Sequence, residues 1–261
     1  MESALNMIYI LKTEAWKNST LKISGKMASD EEYVMTVNDW NTSWSSGHDS
    51  TFISEPHPAL VENIDTFTAG KKCKIFVPLC GTAIDMKWLA DKGHQVIGLE
   101  CSEVAIIKFF KANNIEFNKE QVDGIQDAVL YKSADGTIGI YQCDLYKFHD
   151  GITGKFDCIW DSGSIEAINH KDRESYAKIM ISLMAKECKY FIHSFSYDKT
   201  KVEFGPYMFS KEDFEELFGG QCIVELLSRY KMPDKFLKAY DFSADSNCYG
   251  ILHLLTLKQD N

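Results

Sequence analysis

The sequence predicts an α/β fold with a mostly parallel sheet covered by helices on both faces, and two observations carry that prediction. From about residue 74 onward, short apolar runs alternate with stretches of helical spacing. The strand-like runs are also apolar almost throughout rather than on every second residue, as expected of strands buried on both faces. A chain of 261 residues and 29.7 kDa suits one such domain with some decoration.

The elements follow in order. Residues 1–34 are polar and weakly periodic and read as a loosely ordered extension, leaving 35–261 as a single domain. "TVNDWNTSWSSGHDSTF" offers Asn38 or Asp39 as an N-cap and places Trp40 and Trp44 on one helical face. These rings either pin the helix to the body or cover something flat. Residues 74–79 form a strand, 83–91 a helix closed by Gly93, and 95–99 a second strand. Ser102 is expected to cap "EVAIIKFFKANN"; "AVLYKS" and "TIGIYQC" form a hairpin around "ADG", whose Asp-Gly pair favours a tight reversal. "FDCIWD" is a strand, "RESYAKIMISLMAKE" a helix, "CKYFIHSFSY" a strand and "SKEDFEELFG" a capped helix. "CIVELLSRYKM" and "GILHLLTL" close the chain as an antiparallel edge pair.

Composition excludes several roles. A formal net charge of -10, with no basic run longer than Lys71-Lys72 or the Lys199–Lys201 cluster, argues against nucleic acid and anionic membrane as partners. Five of the eight cysteines, Cys80, Cys101, Cys143, Cys158 and Cys222, sit in or beside apolar runs, where Cys packs as a small hydrophobe. No CxxC or HExxH pattern occurs, so no metal is expected. Without a signal-like N-terminus or a membrane-length apolar run, a cytoplasmic protein is expected, and a monomer.

The stretch "CKIFVPLCGTAIDMKWLADKGHQVIGLE" has the strand-turn-helix-strand layout of a nucleotide-binding unit, but its turn keeps one glycine, Gly81. Pyrophosphate cradles need further glycines for close backbone approach, and the GK[ST] core of a phosphate loop is missing. Glu100 follows Gly81 by 19 positions at the end of the second strand, where an acid can be a mere surface carboxylate or can bind a ribose hydroxyl pair. The joint spacing favours a ligand with a ribose and no pyrophosphate, which points to S-adenosyl-L-methionine. Asp144, after "IGIYQC", is placed to receive an adenine amino group, with Leu145 covering the ring.

This stretch resembles the first motif of the thiopurine S-methyltransferase family, and the likeness continues through "GKFDCIWDSGSIEAINHKDRESYA", "FSYD", "GPY" and "LFG". The resemblance implies a Rossmann-like class I methyltransferase fold, with a seven-stranded, mostly parallel sheet, an antiparallel edge hairpin and helices on both faces. It also implies S-adenosyl-L-methionine as cofactor, with Trp40 and Phe52 in an N-terminal lid (about 36–57) that covers it. Leu79 and Gly81 match the cofactor turn, Glu100 the ribose acid, and Asp144 with Leu145 the adenine pair, although the family commonly has serine at Asp144 and an apolar residue at Cys101; cofactor binding is expected to survive both changes. The family carries arginine after the Trp-Asp pair, where this chain has Ser162. A hydroxyl cannot supply a guanidinium's charge and fork, so an altered acceptor preference is expected, with Arg173 or Lys199 as possible compensating cations.

Methyl transfer from a sulfonium is an in-line displacement that depends on alignment and exclusion of water, so no obligatory general base is nominated. Asp161 is the acidic candidate, orienting an acceptor or holding the methionine amino group. Trp44, Ser162, Tyr197, Pro206 and Tyr207 are placed at the acceptor end. His193, within "YFIHSF", is read as a satisfied strand histidine, and His48 and His57 as exposed-loop residues. The expected acceptor is a small-molecule thiol. Nitrogen, oxygen, selenium or halide acceptors, or a cofactor-binding homologue with weakened catalysis, are the alternatives.

Overall fold

A computed structural model describes residues 34–46, 55–197, 208–234, 237 and 247–259. All but the last residue of the predicted extension, together with His48, Phe52, Lys199, Pro206 and Tyr207, therefore lies outside the described residues.

Along the chain run α1 (Val37–Ser45), α2 (Pro58–Glu62), α3 (Ile64–Thr68), β1 (Lys74–Val77), α4 (Ile84–Asp91), β2 (Gln95–Glu100) and α5 (Glu103–Ala112). There follow β3 (Phe117–Gln121), β4 (Val129–Ser133), β5 (Ile138–Gln142), α6 (Asp150–Thr153), β6 (Phe156–Ser162) and α7 (Arg173–Leu183). The last elements are β7 (Met184–Ser196), α8 (Lys211–Phe218), β8 (Cys222–Lys231) and β9 (Tyr249–Leu257). The strands form one sheet in the order β3-β4-β5-β2-β1-β6-β7-β9-β8.

The five central strands, β5-β2-β1-β6-β7, are parallel, and antiparallel pairs flank them on both sides. The sheet thus has nine strands rather than the expected seven. One source of the excess is β3, which the sequence reading passed over: "FNKEQ" is polar, only Phe117 is partly buried, and its order comes from pairing with β4.

Alternation of side chains divides the core between the two faces of the sheet. Ile75 and Val77 of β1 pack with Leu60, Phe67, Met86, Leu89, Phe109 and Phe110 from α2 to α5. Phe76, between them, packs on the other face with Tyr176 and Met180 of α7 and Phe214 and Phe218 of α8. Helices on both faces are the reason the central strands read as continuous apolar runs.

Three local expectations change. Thr36, not Asn38 or Asp39, caps α1: Asp39 N–H donates to Thr36 Oγ1 at 3.2 Å, and Thr36 N–H donates back to Asp39 Oδ2 at 2.9 Å. This reciprocal box satisfies two otherwise orphaned donors. Ser102 does occupy the cap position of α5, but its side chain makes no capping bond; its own N–H is bound by Glu100. The helix read through "MAKE" stops at Leu183, because Met184 already pairs with Phe156 in the parallel ladder.

Candidate methyl-donor site

Chain order runs from β1 towards β2 and β5 on one side, then crosses back to β6 on the other, so the strand order reverses between the parallel neighbours β1 and β6. Ligand crevices of parallel sheets open at such a point, beyond the carboxyl ends of the strands. A cavity of about 310 Å³ lies there, lined by the ends of β1, β2, β5 and β6 and covered by α1.

The turn after β1 forms its floor. Leu79 and Gly81 both have positive φ, 42° and 50°, and Cys80 N–H donates to Leu99 C=O at 2.9 Å, tying the turn to the end of β2. A left-handed leucine costs roughly 1–2 kcal/mol, a strain the surrounding bonds hold in place. Ser164 Oγ donates to the carbonyl of Pro78 at 2.7 Å. Glu100 is buried, and its two oxygens accept from Gly81 N–H and Ser102 N–H, each at 2.9 Å. Cys101, also on the lining, gives its thiol to Glu100 at 3.4 Å; burial and the neighbouring carboxylate push that thiol's pKa far up, so it stays protonated.

Gly81 is required twice. Beyond its positive φ, a Cβ there would lie 2.9 Å from Cζ2 of Trp44. Trp44 therefore rests on the turn after β1, whereas the sequence places it at the acceptor end. Trp40 lines the same cavity. At the far end, Asp144 accepts from Tyr146 N–H at 3.0 Å, fixing the short 3₁₀ turn that buries Leu145 and brings Tyr146 to the lining.

Asp161 corrects an expectation. It is buried and off the lining; its Oδ2 accepts from Tyr176 and Tyr190 hydroxyls at 2.6 and 2.8 Å, and its Oδ1 faces the N–H groups of Ser164 and Ile165 at 3.3 and 3.2 Å. It fastens the loop after β6 to β7 and α7, which leaves it unsuited to orienting an acceptor. Ser162 does line the cavity, and its Oγ is buried without a hydrogen-bond partner. Arg173 gives it no cationic substitute: the guanidinium lies 4.3 Å over the Phe209 ring and is not on the lining. Tyr197 is half-buried and also off the lining, its N–H on Met208 Sδ at 3.3 Å.

The structure adds residues that the sequence reading missed. Asp85, in the first turn of α4, lines the cavity at only 1 % exposure. Its oxygens accept from His57 N–H at 2.6 Å and Trp160 Nε1–H at 3.1 Å. Burial raises its pKa to about 6, against those two bonds, so it is mostly ionised at neutral pH. An acid in a helix's first turn is common enough that nothing in the sequence sets Asp85 apart. His57, expected on an exposed loop, is buried, with its ring 4.2 Å from that of His193. His193 fulfils its reading as a satisfied core residue, with Nε2 2.7 Å from Tyr230 Oη. Asn169 joins the lining from the loop after β6, where it meets Met35.

A parallel sheet of this order, with a single-glycine turn clamped to an acid ending the next strand, defines a class I S-adenosyl-L-methionine-dependent methyltransferase. Its residues fit that donor: at Gly81, where a Cβ would meet the Trp44 ring, only a bare backbone leaves the turn and the indole room to approach, and Glu100 is fixed at the end of β2, where an acid can reach a ribose. The family described as Thiopurine S-methyltransferase matches residues 35–246. A probable thiopurine S-methyltransferase of Danio rerio is 42% identical over 77% of this chain and 87% of its own length. The Mus musculus thiopurine S-methyltransferase is 37% identical over 86% and 93%. The chain belongs to the thiopurine S-methyltransferase family and is a methyltransferase that uses S-adenosyl-L-methionine. The fold recurs in the Burkholderia thailandensis 1,6-didemethyltoxoflavin-N1-methyltransferase, at TM-score 0.57 and 13% identity over 88% of this chain and 93% of that one. A glycopeptide N-methyltransferase solved with sinefungin aligns at TM-score 0.52 and 12% identity over 78% and 95%.

Proposed function

We propose that this methyltransferase acts on a small aromatic acceptor, with sulfur as the first acceptor atom to test, in one domain whose N-terminal lid (about 36–57) closes over the reactants. The observation that carries this reading is the covered cavity itself, with the Gly81–Glu100 turn below and Trp40 and Trp44 above. S-adenosyl-L-methionine supplies a methyl group already activated on a sulfonium. What remains for the protein is to bind, align and keep water out.

Glu100 would hold the ribose hydroxyls, with Cys101 beside it supporting the carboxylate. Asp144 and Leu145 would hold the adenine, and Leu79, Gly81 and the two tryptophans would enclose the middle of the donor. Phe52 would complete the lid, and Ser162 with Pro206 and Tyr207 would border the acceptor. The covering rings exclude solvent, so the nucleophile meets the methyl group without a competing water. We further infer a cytoplasmic monomer that uses no nucleic acid: all eight cysteines are free thiols, and the net charge of -10 opposes a polyanion. Among the described residues no helix is long and apolar enough to cross a membrane.

Calorimetry with S-adenosylhomocysteine, followed by labelled methyl transfer to thiophenols, thiopurines, amines and phenols, tests the reading. Binding with turnover of thiols supports it; binding with turnover of amines or phenols alone moves the acceptor atom away from sulfur; absence of binding removes the assigned roles of Glu100 and Gly81.

A further inference from the structure

The cavity's charge identifies a class of acceptor. Among the described residues its lining carries four carboxylates, Asp85, Glu100, Asp144 and Asp172, and no lysine, arginine or histidine. Ser162 offers the lining a neutral hydroxyl, and Arg173, stacked on Phe209, is not on it. The donor's single sulfonium charge leaves such a lining negative. An anionic acceptor would therefore enter against the field of the site.

Three of these carboxylates have visible occupations. Glu100 holds the turn, Asp144 caps the 3₁₀ segment, and Asp172 accepts from Asn169 Nδ2–H at 3.0 Å. Asp85 differs in how it is held. It is nine-tenths buried or more, it lines the cavity, and its two donors, His57 N–H and the Trp160 indole, fix its plane with one bond to each oxygen. Each oxygen retains further accepting capacity. Trp160 also lines the cavity, so an acceptor ring that reaches Asp85 meets an aromatic wall beside it.

We propose that Asp85 is a specificity-determining residue that binds an N–H or ammonium group of the acceptor, and that the site takes uncharged or cationic aromatic acceptors and rejects anionic ones. This inference rests on the methyltransferase reading and narrows its substrate class.

The test uses benzylamine, benzyl alcohol and benzoate as probes with one ring and three charges, titrated by calorimetry into the full chain saturated with S-adenosylhomocysteine. Benzylamine is expected to bind at least about tenfold more tightly than benzoate, with the alcohol between them, and Asp85→Asn is expected to remove most of that ratio. The variant should bind S-adenosylhomocysteine within about twofold of the parent. Benzoate binding as tightly as benzylamine, or none of the three binding, overturns the inference. So does a variant that keeps the full ratio, or one that loses about tenfold for S-adenosylhomocysteine, since Asp85 would then serve the donor's ammonium. Should Asp85→Asn fail to fold by circular dichroism, the parent's charge order still decides, with Asp85→Glu as the second variant. Failure of S-adenosylhomocysteine to bind the parent is a separate result, which strikes the donor reading, and probe order on the free chain then remains a reading of Asp85.

Discussion

Asn169 holds Met35 by both sides of one residue: its Oδ1 accepts from Met35 N–H at 3.1 Å and its Nδ2 donates to Met35 C=O at 3.2 Å. The two residues are 134 positions apart, and α1 begins immediately after the Thr36 cap. This side chain mimics a strand partner and fastens the segment leading into α1 to the loop after β6. Asn169→Ala removes both bonds, worth about 1–2 kcal/mol together. S-adenosylhomocysteine affinity should fall about five- to thirtyfold, with a red shift in tryptophan emission as Trp40 and Trp44 lose their cover. Unchanged affinity and emission would show that the latch does not control the lid.

Gly81→Ala strains the floor of the site. An L-residue at φ 50° costs roughly 1–2 kcal/mol, and the new Cβ would press on the indole of Trp44 at 2.9 Å. Thermal stability should drop by a few degrees, while donor affinity should fall by more than the strain alone explains, because the lid must shift. The comparison that matters is Leu79→Gly, which removes a left-handed side chain and should raise stability while loosening the turn. If Gly81→Ala binds S-adenosylhomocysteine like the parent, the close approach of Trp44 plays no part in binding.

Glu100→Gln puts an amide where one of two backbone N–H groups is met at 2.9 Å. One amide oxygen can accept; the amide nitrogen would face a donor with a donor. A buried unsatisfied N–H costs about 1–3 kcal/mol, so the melting temperature should fall and donor affinity should fall tenfold or more. A variant with parental affinity would separate Glu100's structural clamp from any role at the ribose.

These residues also mark how far the sequence could be read. That Gly81 and Glu100 meet was legible because they belong to one continuous strand-turn-helix-strand unit, and local spacing survives in the sequence. Asp161 misled for a related reason: the end of a strand looks like a site mouth, and only the positions of Tyr176 and Tyr190 show its carboxylate filled. Asp85 and Asn169 were invisible because their partners, His57 and Met35, come from distant positions and ordinary residue types. The polar strand β3 was lost for the same reason, its order being set by β4 rather than by its own pattern.

The buried His57–His193 pair makes stability depend on acid. Desolvation lowers His57 to about 3 and His193 well below its usual value, so both are neutral in the fold. Below about pH 6.5 the unfolded chain binds protons that the folded chain refuses. The histidines' contribution is therefore complete above that pH and is lost as pH falls, at up to about 1.4 kcal/mol per unit for each ring. Asp85, raised to about 6, has the opposite sign: its contribution is present below its unfolded value and lost as pH rises through 6. Urea midpoints should thus fall from pH 6.5 to 4.5, and His57→Asn, which keeps a cap for α2, should flatten that slope. An identical slope in the variant would remove His57 from the account.

Ser162→Arg tests the acceptor end directly. It would place a cation on a lining that otherwise carries only carboxylates among its described charged residues, at a position where the present hydroxyl is buried without a partner. A guanidinium there would attract the carboxylate of an anionic ring and could pair with Asp85 or Asp172 when none is bound. The readout is the ratio of kcat/KM for 2-mercaptobenzoate to that for benzenethiol, two aromatic thiols that differ by one negative charge. The ratio should rise about tenfold, the equivalent of about 1.4 kcal/mol of charge stabilisation, through KM for the anion rather than through kcat. A ratio that stays at the parental value, in a folded variant that still binds S-adenosylhomocysteine, would mean that acceptor charge is read elsewhere in the pocket.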